Sequence, residues 1–394
     1  MQKIFESIKS GKLPNVSIED WNATVRTEFS PFFQTPEIID KHRELLRIEL
    51  MNLARISPFK EYVELLSWTI QLYRTQINSD KHNCINHLAK NIFQTIKSDS
   101  VWISLFQTHI NSDSFDSLHD SVYQILRDID TILEGCYKPH FQILYAFATK
   151  SVNGLFPSDK KRLDFGEMRA DFPKSLQSQA RLYLENPETH LPVNQWRNIA
   201  AHKTFKVLSE TEIELQYGMD IPPKVQVVSP ETLNKVLHWI TQIHATVRLA
   251  SVIIYLEYTD DIRPLIGSQP DLRMESWLIS LCHSLSIMGF ECQAINESSQ
   301  TFILAIANKS DRAPEEALAH SSQVLDQLSL ALELDPVKKG KYEFCAISLV
   351  DPTGHNLASA TVKITDALDW IAGKLSMEDY ANKVTFDVTG LAGK

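Results

Sequence analysis

From Phe115 to Val152, Leu118, Val122, Ile125, Leu126, Ile129, Ile132 and Leu133 recur at three- and four-residue spacing. That period places them on one side of an α-helix, which must bury the stripe along its whole length. The middle of the chain is therefore committed to helices packed on helices. Gly135 and Pro139 are expected to kink this long helix before Phe141, Leu144, Tyr145 and Phe147. Asn153-Gly154 and Pro157-Ser158 mark the loop that follows it.

The flanking stretches extend the helical reading. Residues 1–112 read as consecutive amphipathic helices. Ser17 and Asp20 look like a cap before Trp21 and Val25. Thr35-Pro36-Glu37 opens a helix through Leu45, Leu46, Ile48, Leu50 and Leu53, which Pro58 interrupts. A further helix carries Tyr62, Leu65, Leu66, Trp68, Ile70 and Leu72. The turn-rich Asn111-Ser112-Asp113-Ser114 suggests a domain boundary. After the long helix, another is expected from Phe165 to Leu184, closed by Asn186-Pro187. Alternation through Phe205, Val207, Ile213, Leu215, Tyr217, Val225 and Val227 predicts a small β-hairpin. Ser229-Pro230-Glu231 then opens an apolar helix to about Tyr258.

Beyond Pro264 the pattern changes. A helix near 272–288 leads to strands at 290–295 and 301–307, a helix at 313–334, and strands at 342–350, 358–364 and 384–388. The expected fold is mainly α. It comprises an N-terminal helical domain (1–112), a central helical bundle with a β-hairpin insertion (113–262) and a C-terminal α+β domain (268–394).

A length of 394 residues with 43% apolar content suits two or three domains with real cores. The net charge of -10 restricts any nucleic-acid contact to a local patch. Five scattered cysteines lack paired spacing, the N-terminus has no signal-peptide pattern, and the apolar run Ala250–Tyr255 is too short to span a bilayer. A cytoplasmic protein without a membrane partner is expected.

Leu191 to Lys203 carries the chemistry. With Asn194 as N-cap, Arg197 falls in the first turn of a helix, where free N–H groups and the dipole favour an anion. Asn198 and His202, four apart, share a face. Arg197 and His202 are five apart, about 140° around the helix by its 3.6-residue period. Ala200 and Ala201 keep the surface low beside His202. Imidazole can move a proton near neutral pH, and guanidinium can grip a phosphate and stabilise charge on its oxygens. Together they can cleave RNA without metal: the 2′-OH, deprotonated, attacks the adjacent phosphorus. The alternative use of such a pair is structural, with the arginine paired to a carboxylate and the histidine capping a helix.

Arg197-Asn198-Ile199-Ala200-Ala201-His202 resembles the R-x(4–6)-H signature of HEPN domains, including the polar residue after the arginine. The frame is similar too: a long first helix with Ile132-Leu133-Glu134-Gly135-Cys136-Tyr137-Lys138-Pro139, a second helix, the motif on a third and a long apolar fourth. The likeness covers about residues 115–262. It implies a metal-independent endoribonuclease, needing no cofactor, that acts as a homodimer with two motif helices facing across one cleft. It also implies a toxin, antiphage effector or RNA-processing factor restrained by another domain or by a regulatory or antitoxin partner. By position, Arg197 would bind phosphate, His202 would be the general acid/base and Asn198 would orient them. Other members of the family are inactive and serve as nucleotide-binding or scaffold modules, and that reading stays open.

Lys203 and Lys206 follow the motif as candidate RNA contacts, with solvated lysines as the alternative. Trp196 offers a stacking face or, more commonly for tryptophan, core packing. Lys160-Lys161-Arg162 is a candidate RNA guide. His82, Cys84 and His87 lack a second ligand pair and read as helix surface; no metal is expected.

Overall fold

The structure, a computed structural model, describes residues 18–110, 117–157, 164–218, 221–266, 281, 282, 285, 288–310, 312–335, 337–351 and 353–388. The described residues are mainly α, with 62% helix, 15% strand and two small sheets among them. Two compact units divide the chain, one of residues 25–268 and one combining 269–394 with 1–24.

The first unit contains the end of α1 (Ile18–Phe29), then α2 (Pro36–Lys41), α3 (Arg43–Ile56), α4 (Lys60–Ser79) and α5 (Lys81–Ile110). There follow α6 (Leu118–Asp130), a π-helical segment (Thr131–Tyr137) and α7 (Lys138–Asn153). Short α8 (Phe165–Ala170) and α9 (Arg181–Leu184) precede the motif helix α10 (Val193–His202), and α11 (Pro230–Glu257) with the short α12 (Thr259–Ile262) closes the bundle.

Helical structure runs on through Gly135 and Pro139 by way of the π segment, whose wider turn is seen in the bond from Lys138 N–H to the Leu133 carbonyl. Proline at 139 lacks the N–H that an α-register needs. Gly135 lets α5 approach closely, since a Cβ there would sit 3.0 Å from Val101 Cγ1 and would have to push that side chain aside. Gly154, at φ 77°, ends α7.

Three further expectations change. The helix at 165–184 is broken: a capping box of Asp164 and Glu167 starts α8, but Pro173 stops propagation and a 3₁₀ turn at Lys174–Leu176 intervenes before α9. The hairpin is a three-stranded antiparallel sheet of β1 (Phe205–Val207), β2 (Ile213–Tyr217) and β3 (Lys224–Val228). The stretches assigned to 1–112 and 113–262 share one core, since α3, α4 and α5 pack on α11, the π segment and α7.

A buried ion cluster fastens that shared core. Arg248 of α11 donates from Nη1 to Glu49 of α3, and from Nε to Asp99 Oδ1 of α5 at 2.7 Å. His140 Nε2 of α7 lies 3.3 Å from the same Asp99 oxygen. Burial alone would raise the Asp99 pKa, but Arg248 and His140 outweigh it and hold the carboxyl well below the usual range. His244, fully buried beside Trp102, is driven well below its ordinary pKa, by burial first and then by His140 and Arg248.

Helix α11 is long and apolar enough to cross a membrane by length and composition, and 78% of its apolar window is buried inside the protein.

In the second unit, the strands are β4 (Phe290–Glu297), β5 (Thr301–Asn308), β6 (Phe344–Val350), β7 (Asn356–Lys363) and β8 (Thr385–Asp387), hydrogen-bonded in sequence order. Only β5 and β6 pair in parallel, joined by a crossover through α13 (Pro314–Ser321) and α14 (Leu325–Leu334). The single helix expected at 313–334 is thus two, with a 3₁₀ turn between them. Helices α15 (Ile364–Ile371) and α16 (Met377–Ala381) were not expected. Most of the expected helix at 272–288 lies outside the described residues.

Candidate functional site

Helix α10 owes its position to a stripe that the sequence carries. Val193, Trp196, Ile199 and Ala200 recur at three- and four-residue spacing and are all fully buried, and the helix rests on α6, α8 and β2. Trp196 is 0% exposed, so it cannot stack a base; it is a core residue. Arg197 and Asn198 are half-buried on the other side, and His202 is exposed in the last turn.

The start of α10 differs from expectation. Pro192 is the N-cap and makes no side-chain cap bond. Asn194 is therefore the second helical residue, and its Oδ1 is buried without a hydrogen-bond partner. Arg197 consequently stands in the second turn, out of direct reach of the first-turn N–H groups. An anion held there depends on the guanidinium, with little help from the helix terminus.

Arg197 reaches the π segment. Its Nε donates to Glu134 Oε1 at 2.6 Å, and Nη1 donates to Asn198 Oδ1 at 3.3 Å. Lys138 Nζ donates to the other Glu134 oxygen at 2.9 Å. Burial would raise the Glu134 pKa, but Lys138 and then Arg197 outweigh it and hold the carboxyl below its ordinary value. The arginine–carboxylate pairing named as the structural alternative is thus present. It is half-open, with Arg197 35% and Glu134 30% exposed.

The C-terminal end of α10 gathers further groups. Lys203 closes the helix in the left-handed region at φ 53°, its N–H bonded to the Ile199 carbonyl. Its ammonium bonds the Ala200 carbonyl and lies 5.7 Å from the Tyr123 ring centroid. Burial chiefly lowers its pKa. Lys203 is therefore engaged with its own helix and α6, whereas Lys206 is exposed on β1. Tyr123, 47% exposed, is an open aromatic face beside the motif.

Asn198 and His202 share a face as their spacing required. Along the axis, Arg197 and His202 are separated by about 7.5 Å of helix rise, with Arg197 drawn toward the π segment. Lys160, Lys161 and Arg162 lie outside the described residues. His82, Cys84 and His87 do not converge: His82 bonds Asn86, Cys84 is buried, and His87 stacks on Phe156. Among the described residues, no group of three His, Cys, Asp or Glu side chains could hold a metal.

Sequence reasoning gave no role to Glu134, Lys138 or Tyr123. The available signal was the opposite charges of Glu134 and Lys138 four residues apart, just before Pro139. No family model, no curated protein and no solved structure matches this chain.

Proposed function

We propose that this protein is a metal-independent endoribonuclease of HEPN type, a toxin or antiphage-defence effector that acts as a homodimer in the cytoplasm. Residues 113–262 are its HEPN-like part, and the remaining segments or an antitoxin partner restrain it. The observation that carries the reading is the division of α10, with one side wholly buried and the other presenting Arg197, Asn198 and His202.

Substrate phosphate displaces Glu134 and takes the Arg197 guanidinium, while Asn198 steadies it. His202 removes the 2′-OH proton. The 2′ oxygen bonds to phosphorus, the bond to the 5′ oxygen breaks, and an imidazolium from the twin helix protonates that leaving oxygen. The products end in a 2′,3′-cyclic phosphate and a 5′-OH. The offset along α10 makes two facing motif helices a better site than one. Lys206, and Lys203 once released from Ala200, supply flanking phosphate contacts, and Tyr123 provides the stacking face that Trp196 cannot.

The test compares wild type, Arg197→Ala and His202→Ala on RNA in EDTA. Wild type should cleave and leave cyclic phosphate ends, and both variants should fail. Equal cleavage by all three, or by none, would sink the proposal. The Arg197–Glu134 pair favours a second reading, a non-catalytic nucleotide-binding or scaffold module whose guanidinium exchanges Glu134 for a ligand phosphate. It requires nucleotide-dependent thermal stabilisation that Arg197→Ala abolishes, with RNA left intact.

A further inference from the structure

The junction of α2 and α3 frames a cleft of about 410 Å³, lined by Asp40, Lys41, His42, Arg43, Leu45 and Arg47. Three fixed cations and an imidazole thus stand against one carboxylate, in a chain whose net charge is -10. The carboxylates in reach hold these cations loosely. Arg43 Nη2 lies 3.8 Å from Asp40 Oδ1, and the other Asp40 oxygen is shared with Arg26 at 3.5 Å. Lys41 Nζ bonds Asp260 of α12 at 2.8 Å, in a pair exposed on both sides and therefore weakened by solvent. Two polar atoms are left over: Arg43 Nε and His42 Nε2 are buried and make no hydrogen bond within the chain. Such atoms are costly, and a ligand that meets them gains accordingly.

We propose that this cleft binds a phosphate-bearing small molecule, with Arg43, Lys41 and His42 on the phosphate oxygens and the exposed Leu45 against the rest of the ligand. The cleft volume falls within the range of small-molecule sites, roughly 300–1,000 Å³. The Arg43 fork can take two phosphate oxygens at once, and the phosphate replaces the distant Asp40 as its anion. Lys41 adds a point charge. Burial and then Lys41 lower the His42 pKa, with Asp260 opposing and Arg263 adding to the fall. The free imidazole is therefore neutral at neutral pH and does not repel its cationic neighbours. A bound anion favours the imidazolium, which turns His42 into a donor. The start of α3, where His42 makes no side-chain cap bond, adds a field of the same sign to these cations. A confined cleft suits a small molecule better than a nucleic-acid backbone, which is tracked by cations spread along a face. The cleft shares no residue with the Arg197 site, so its occupancy is independent of ribonuclease activity.

The experiment titrates the full chain by calorimetry at low salt with ATP, with inorganic triphosphate and with adenosine. ATP and triphosphate should bind, and adenosine should not. Tighter binding of ATP would assign a nucleotide as the ligand, and equal binding a bare polyphosphate; either upholds the phosphate site. Arg43→Ala and His42→Ala should each weaken binding about tenfold or more, the effect of losing a charged hydrogen bond. Arg197→Ala should bind as wild type does, which separates this cleft from a ligand held at the motif helix. Should Arg43→Ala or His42→Ala not fold, Lys41→Gln takes its place, because Lys41 is exposed and its loss leaves the core intact. Failure of wild type to bind either phosphate compound would overturn the proposal. So would binding that the cleft variants leave unchanged, or binding that Arg197→Ala abolishes.

Discussion

Two arginines in the first unit each hold a carboxylate, and they do opposite things with it. Arg248 is 6% exposed and bonds Glu49, 0% exposed, and Asp99, with His140 against the same carboxylate. Arg197 is 35% exposed and holds one Glu134 oxygen, while Lys138 takes the other. Buried charges have no solvent to fall back on, so the Arg248 cluster is a permanent fastener between α3, α5, α7 and α11. The Arg197 pair is partly open to water, and in the proposed function an incoming phosphate replaces the carboxylate.

The largest expected effect separates the two arginines on stability. Arg248→Ala leaves the fully buried Glu49, and with it the partly exposed Asp99, without their cation and should cost about 3–5 kcal/mol. Denaturant unfolding measures this, and a loss below about 1 kcal/mol would show that the cluster relaxes into solvent. Next comes Arg197→Ala, which should lower RNA cleavage by about 10²–10³-fold, the effect of removing one donor to a charged transition state.

Glu134→Gln sharpens the exchange argument. It keeps the shape of the side chain but removes the anion that occupies Arg197, so RNA should bind more tightly, as fluorescence anisotropy would read. In wild type the same release should follow acidification. The folded-state pKa of Glu134 is lowered, so its ion pair is intact above the ordinary glutamate range and is lost as pH falls through the depressed value. The binding difference between wild type and Glu134→Gln should therefore shrink only as pH falls below the ordinary glutamate range. A constant difference across that range would place the effect elsewhere. The smallest expected change is Tyr123→Ala, which should weaken RNA binding by about 1 kcal/mol through lost stacking, leaving the cleavage step untouched.

The same contrast explains what the sequence could convey. Periodicity announced α6, α7, α10 and α11, and the four-residue step from Asn198 to His202 placed both on one face. The stripe from Val193 through Trp196 to Ile199 and Ala200 was equally readable, and it already implied that Trp196 belongs to the core. The start of α10 was misread because Asn194 is a good cap by type, whereas Pro192 occupies the cap position. Glu134 was invisible as a partner of Arg197 because 63 residues separate them, and only tertiary packing brings them together. The π segment is a choice of hydrogen-bond register, which apolar spacing does not encode. Arg248 showed no sign of its role in a helix that reads as largely apolar, since its partners Glu49 and Asp99 come from two other helices.

The most direct measurement takes Arg197→Ala through thermal melting and RNA cleavage in EDTA on the same preparation. An exchangeable, functional arginine predicts a melting curve within about 1 kcal/mol of wild type and cleavage lost. Destabilisation approaching that of Arg248→Ala, or cleavage equal to wild type, would contradict it and make Arg197 another structural fastener.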